Sequence, residues 1–266
     1  ELLVVKLKQS KQYLRDFFLI KDDVPAFEES DIMLALRFLE DYAIRLGKPL
    51  IIIFGLGSAN GSRTGASPLA EMMENLTKKP NISVITCMGN EANNKCHYKG
   101  TVMSALVPDV MEINVDGTGK GFTMEIWADS LDILSVSIES PSGEYVPRIP
   151  ARMGASMEYT FLYEGSTVTV DYQITENVAG MEVIFVRLKT PVEGTWKFYI
   201  YSLTNIKGSY NAWLPLKQFS GQDIYFLKSD PDTTLTVPAA ADGVISVGAY
   251  NHYTGAAYYE SGRGYS

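Results

Sequence analysis

Lys48-Pro49-Leu50-Ile51-Ile52-Ile53-Phe54-Gly55-Leu56-Gly57-Ser58 enters an unbroken apolar run after a proline and leaves it through two glycines. A strand with one wet face alternates apolar and polar residues, whereas a run apolar at every position fits a parallel sheet buried on both faces. The run is far too short to cross a bilayer, so no membrane span is expected. Upstream, Asp31 to Ile44 places Ile32, Met33, Leu36, Leu39 and Ala43 at helical spacing behind an acidic start, and Leu2 to Leu7 reads as another strand. Downstream, Ser67-Pro68 opens a helix, with Ser67 as N-cap, Pro68 at the first helical position and Glu71 close behind. That helix is expected to stop near Lys79-Pro80, before the strand Ile82-Ser83-Val84-Ile85-Thr86-Cys87 and its exit, Met88-Gly89-Asn90-Glu91. Strand, helix, strand is a βαβ pattern. Ligands of open α/β sheets collect beyond the carboxyl ends of the strands, so Gly55 to Ser58 and Gly89 to Glu91 should lie side by side.

From about Val102 to Thr236 the texture is different. Phe122 to Trp127, Leu134 to Ile138, Thr167 to Val170 and Met181 to Leu188 alternate apolar and polar residues, separated by turns such as Asp116-Gly117 and Pro141-Ser142-Gly143. Trp196-Lys197-Phe198-Tyr199-Ile200-Tyr201 adds a strand whose aromatics suit a core better than a carbohydrate platform. At Val244-Ile245-Ser246-Val247-Gly248-Ala249 the short apolar strand style returns. The expected fold class is therefore α/β plus all-β: a partial parallel sheet with helices over residues 1–102 and 237–266, interrupted by an antiparallel β-sandwich or jelly roll over 103–236. Insertions of this kind are tolerated at exposed loop tips whose ends stay close.

The bulk properties narrow the function. The formal net charge of -8 argues against nucleic-acid binding, which draws on clustered Lys and Arg. Hydrophobic residues at 46% and charged residues at 20% describe a globular chain with little room for long disorder. Two cysteines, Cys87 and Cys96, imply neither a disulfide framework nor a paired-CxxC metal site, and they read as reduced thiols. No metal and no cofactor is expected. The first residue is Glu1, with no basic stretch followed by an apolar one, so there is no targeting information and the sequence reads as cut from something longer.

Three ordered segments now carry a resemblance. Gly55-Leu56-Gly57-Ser58 after one buried strand, Met88-Gly89-Asn90-Glu91 after the next, and Val244 to Ala249 near the end resemble the subtilisin-like serine peptidase family. The long β insertion, together with Ser261-Gly262-Arg263-Gly264, is similar to the clostridial branch that includes the germination-related Csp proteases. In that family the asparagine of Gly-Asn-Glu donates its side-chain amide to the developing oxyanion, which implies this role for Asn90. A fixed donor gains most when negative charge develops on the carbonyl oxygen; in subtilisin its loss costs roughly 10²–10³-fold in rate. Read without the family, Asn90 is a residue capping a glycine turn. Gly55, Leu56, Gly57 and Ser58 resemble the strand against which the substrate peptide pairs by β-augmentation, with Gly89 beside it. Their plainer reading is a strand ending in a glycine turn. Gly55 stands where the family often has serine, and Ala92 where it often has glycine.

The resemblance also implies an Asp-His-Ser triad, and all three members fall outside residues 1–266. His97 and His252 lack the expected His-Gly-Thr context and read as loop histidines, and no serine has a Gly-Thr-Ser context. The isolated chain is thus expected to be inactive toward peptides. Segments that would complete the central sheet are missing as well, which leaves apolar edges exposed and makes self-association an expected property. The competing class is a module that binds without cleaving: a pseudoprotease, or a jelly roll presenting a protein- or glycan-binding surface. Asp22-Asp23 and Asp230-Pro231-Asp232 lack the ligand spacing of a calcium loop and read as solvated turns. Gly117-Thr118-Gly119-Lys120-Gly121 lacks the spacing of a phosphate loop.

Overall fold

A computed structural model of the chain describes residues 2–264 apart from 118, 130, 174–179, 205 and 222. The decisive run becomes β1 (Leu50–Phe54), along which burial alternates: Leu50, Ile52 and Phe54 are buried, Ile51 and Ile53 exposed. The buried set packs against Leu36 and Ala43 of α2 (Glu29–Leu46) and Leu69, Met73 and Leu76 of α3 (Pro68–Thr77). Both helices end where local chemistry says they should. Gly47 caps α2 in the left-handed conformation at φ 61°, and the Ser67 hydroxyl accepts the Ala70 N–H at 3.1 Å with Pro68 in the first turn of α3.

β2 (Ile82–Cys87) pairs parallel with β1, from Leu50 opposite Ile82 to Phe54 opposite Thr86. On its other side β2 pairs parallel with Ile245–Val247, from Ile245 opposite Ile85 to Val247 opposite Cys87. Segments on both sides of the β block thus share one sheet. This sheet departs from the expectation of burial on both faces. Ile51 and Ile53 are 66% and 81% exposed, and Ile245 and Val247 53% each, because the helices α2 and α3 lie on the opposite face. In register with Ile85 they make one apolar face that no helix among the described residues covers.

Leu2 to Leu7 is a second correction, since it joins no strand ladder. It runs along a groove of about 610 Å³ whose other walls are Ile32, Leu36 and Leu39 of α2 and the whole of β1. The short α1 (Gln12–Phe17) follows, and its Phe17 ring stacks on Phe185 at 5.8 Å while the Arg187 guanidinium lies 4.4 Å over the Phe17 ring.

Residues 97–226 build two antiparallel sheets. Their strands in chain order are β3 (His97–Thr101), β4 (Asp109–Asp116), β5 (Gly121–Asp129), β6 (Leu134–Glu139), β7 (Tyr145–Ile149), β8 (Ser156–Thr160), β9 (Thr167–Gln173), β10 (Met181–Lys189), β11 (Gly194–Ser202), β12 (Ser209–Trp213) and β13 (Asp223–Phe226), and Ile245–Val247 is β14. One sheet has the order β3-β12-β5-β10-β9-β8 and the other β13-β4-β11-β6-β7. Both contribute to one core, in which Met111, Ile113, Trp196 and Phe198 of the second sheet meet Ile126, Val170 and Ile184 of the first. Trp196 and Phe198 are fully buried, as expected of a core strand, and Trp196 Nε1 donates to the Val192 carbonyl at 3.1 Å. No helix of the described residues is long and apolar enough to cross a membrane.

Candidate functional site

Because β1 and β2 are parallel and in register, both chains leave the sheet at the same edge, and their exits are Gly55 to Ser58 and Met88 to Glu91. The Cys87 thiol points at the Leu56 carbonyl at 3.9 Å, a first link between the two exits. The main link is the segment 236–237. Ser58 and Val237 exchange backbone hydrogen bonds at 3.0 and 2.9 Å, and the Thr236 N–H donates to the Met88 carbonyl at 3.2 Å. The Thr236 side chain, 4% exposed, fills the space between the two glycine exits. A Cβ on Gly57 would sit 2.4 Å from Thr236 Oγ1, and one on Gly89, whose φ is +85°, would sit 2.5 Å from Thr236 Cγ2. Only glycine fits at either position.

Asn90 projects from this cradle. The residue is exposed, its carbonyl accepts from Asn94 Nδ2 at 3.2 Å, and among the described residues its own side-chain amide has no protein partner. Gly89 beneath it is pinned by the Gly262 N–H to its carbonyl at 2.8 Å, and the Ala92 N–H donates to the Glu260 carbonyl at 3.2 Å. Asn90 is therefore a free amide donor on a backbone held from below. A Cβ added to Gly55 would meet no atom within 4 Å, so a side chain there would find open space. Ala92 is buried beneath the Asn90 loop.

Several neighbours of this region gave no sequence signal. Arg63, on the loop that follows Ser58, donates from Nη2 to the Ala59 carbonyl at 2.6 Å and lies 5.0 Å over the Trp213 ring. Glu125 of β5 accepts the Gly61 N–H at 2.9 Å and the Trp127 Nε1–H at 2.9 Å on one oxygen. Burial pushes the Glu125 carboxyl up, opposed by these donors and the Arg63 charge, and burial does the same to Glu91. Burial pulls Arg63 down to about 10, which leaves it charged at neutral pH. Thr236, Arg63 and Glu125 each meet partners from remote parts of the chain, and no short motif marks them.

The histidines separate. His252 lies in a surface turn beside Tyr253, as expected, but His97 is a fully buried residue of β3. Its ring stacks on Trp213 at 4.9 Å, Nδ1 meets the Asp230 carbonyl and Nε2 meets Asn211 Oδ1, and burial lowers its pKa. The β-strand pairing of residues 97–101 with 209–213 explains the burial, which a reading of His97 as a loop residue missed. Asp230 closes a turn by accepting the Asp232 N–H at 2.9 Å. Thr118 of the Gly117–Gly121 turn lies outside the described residues. Cys87 and Cys96 are free thiols, the latter pushed up to about 12 by burial.

No family model and no curated protein matches this sequence. Among solved structures the chain is similar to the CspB protease of Clostridium perfringens, with a TM-score of 0.81 and 25% sequence identity. The match covers 92% of this chain and 51% of that protein, so the chain spans about half the length of this neighbour. The three-stranded parallel sheet and the antiparallel sheets packed beside it thus form an arrangement shared with part of a clostridial protease.

Proposed function

We propose that the chain is part of a subtilisin-like serine endopeptidase, with the antiparallel block as a jelly-roll insertion, and that it supplies the oxyanion donor and the substrate-binding strand. The observation that carries this reading is the Thr236 cradle, which holds the Gly55–Ser58 exit beside a free Asn90 amide. A peptide laid along Gly55, Leu56 and Gly57 extends the sheet by β-augmentation. Its scissile carbonyl oxygen then lies toward Gly89 and Asn90. As a nucleophile attacks, the carbonyl oxygen gains negative charge, and a donor already aimed at it stabilises the transition state more than the ground state. The nucleophile, its base and the orienting carboxylate come from outside residues 1–266.

A fluorophosphonate probe of activated serines tests this. The 266-residue chain should stay unlabelled and leave peptides intact, while a longer form with the remaining family segments should be labelled at one serine outside it. Stoichiometric labelling of a serine within the chain would overturn the assignment. A longer form that binds peptides, yet neither reacts nor cleaves, would replace it with a pseudoprotease.

A further inference from the structure

Glu125, Trp213 and His97 form one row across three adjacent strands. Trp213 of β12 stands opposite Glu125 of β5 on one side and opposite His97 of β3 on the other. The row belongs to the outer face of the six-stranded sheet, away from the shared core, where Trp213 packs with Trp127 and Val183 in a separate small cluster. The covering on this row is the loop that follows Ser58. Gly61 gives its N–H to Glu125, and the Arg63 guanidinium lies over Trp213 while its Nη2 holds the Ala59 carbonyl. Trp213 is fixed in turn, by the His97 ring stacked at 4.9 Å and by Nε1 donating to the Thr233 carbonyl at 2.9 Å.

We propose that the antiparallel β block positions the substrate-side loop, with Glu125 and Trp213 as positioning residues that act on Ser58 through Gly61 and Arg63. The physical basis is a difference in rigidity. A surface loop held only by its own turns exchanges among conformers, whereas one whose backbone and side chain are both anchored on a sheet takes the rigidity of the sheet. Ser58 is the point of transmission. It is bridged to Val237, next to Thr236, so a shift at Gly61 or Arg63 passes to the wall beside Gly57. Arg63 also reaches back along its own loop, with Nη1 3.5 Å from the Ser58 carbonyl, so the side chain that covers Trp213 is joined to Ser58 itself. A guanidinium suits this place, since it stacks on an aromatic face and donates in its own plane at once.

The consequence for substrate rests on the peptidase reading above, but the positioning itself does not. Hydrogen exchange read by mass spectrometry on the 266-residue chain tests it directly. Glu125→Ala should speed exchange of the amides of residues 58–64 by at least about 10-fold while Ile184 to Leu188 of β10 stay protected, because the only backbone amide that loses its acceptor is Gly61 in the loop, the other donor lost being the Trp127 side chain. Glu125→Gln keeps an oxygen for both N–H donors and should restore most of the protection. Arg63→Met lies outside the β block and serves if Glu125→Ala does not fold; it should free the same loop and leave the sheet protected. Loop exchange equal to the parent's in these variants, or acceleration spread evenly over loop and sheet, would overturn the proposal. In a longer form that cleaves peptides, Glu125→Ala should raise KM with kcat changed by less than about 3-fold, the signature of lost uniform binding. An unchanged KM with a freed loop would refute the substrate consequence alone, and absence of cleavage would count against the peptidase reading and not against the clamp.

Discussion

Replacing Gly89 by alanine tests the cradle atom by atom. At φ +85° an alanine bears the left-handed penalty of about 1–2 kcal/mol. Its methyl would also stand 2.5 Å from Thr236 Cγ2, 3.2 Å from Oγ1 and 3.4 Å from Cβ. Overpacking of this kind costs about 1–3 kcal/mol, so Gly89→Ala should lose about 2–5 kcal/mol in all. Thr236→Ala removes the two nearest atoms and leaves the 3.4 Å contact, which is ordinary van der Waals distance. Alone it gives up a long hydrogen bond to the Cys87 carbonyl at 3.4 Å, worth about 1 kcal/mol or less. The double variant should therefore be more stable than the sum of the singles by about 1–3 kcal/mol, the overpacking part, while the backbone penalty remains. Gly57→Ala is the control. Its methyl would lie 2.5 Å from Thr236 Cβ itself, so Thr236→Ala should not rescue it. Urea unfolding with constant m supplies the four free energies of each cycle. Additivity within about 0.5 kcal/mol for Gly89 and Thr236, or equal rescue of Gly57→Ala, would refute the wedge.

Burial raises the Glu182 carboxyl from its ordinary 4.5 to about 8, with the Asp132 charge adding to the rise and the Leu134 N–H at 2.7 Å opposing it. Its Oε1 is buried without a partner, so the fold favours the neutral acid. The associated stability is complete below pH 4.5 and is lost as pH climbs through about 8. Denaturation curves for Glu182→Gln should match the parent near pH 4.5 and exceed it by about 4 kcal/mol at about pH 8.5; an equal difference at both values would contradict the burial account. The uncovered sheet face with Ile51, Ile53, Ile245 and Val247 should drive concentration-dependent association of the chain, visible by sedimentation velocity. Ile53→Lys should reduce it at equal concentration, and indifference to that change would move the contact elsewhere.

Sequence patterns were informative wherever a segment's neighbours are near in the chain. Leu50 to Phe54 and Ile82 to Cys87 are strands, Ser67 caps α3, and the alternating runs from Phe122 to Tyr201 lie in antiparallel sheets, because period and punctuation are local properties. That Ile245 to Val247 shares a sheet with Ile82 to Cys87 was also readable, since Val244 to Ala249 repeats the style of the first two strands, whereas the register was not. Leu2 to Leu7 has an equally good strand pattern, but a strand exists only with a partner, and the sheet ends at β1. His97 was misplaced for the converse reason: its burial comes from pairing with Trp213, a residue far along the chain. At the candidate site, glycines and the Gly-Asn-Glu turn stand out in the sequence. Thr236, Arg63 and Glu125 do not, because a wedge or a clamp is defined by what folding brings to it.

The claim that Asn90 is an oxyanion donor meets its most direct test in the kinetics of Asn90→Ala, made in a longer form of the protein that cleaves peptides. An amide that meets charge mainly in the transition state contributes to kcat and little to KM. Asn90→Ala should lower kcat by about 10²-fold, on the order of 3 kcal/mol, with KM changed by less than about 3-fold. Since the Asn90 side chain is exposed and its amide makes no hydrogen bond among the described residues, the urea midpoint should stay at the parent's value. An unchanged kcat in a folded, cleaving variant would contradict the account and return Asn90 to the role of a turn residue.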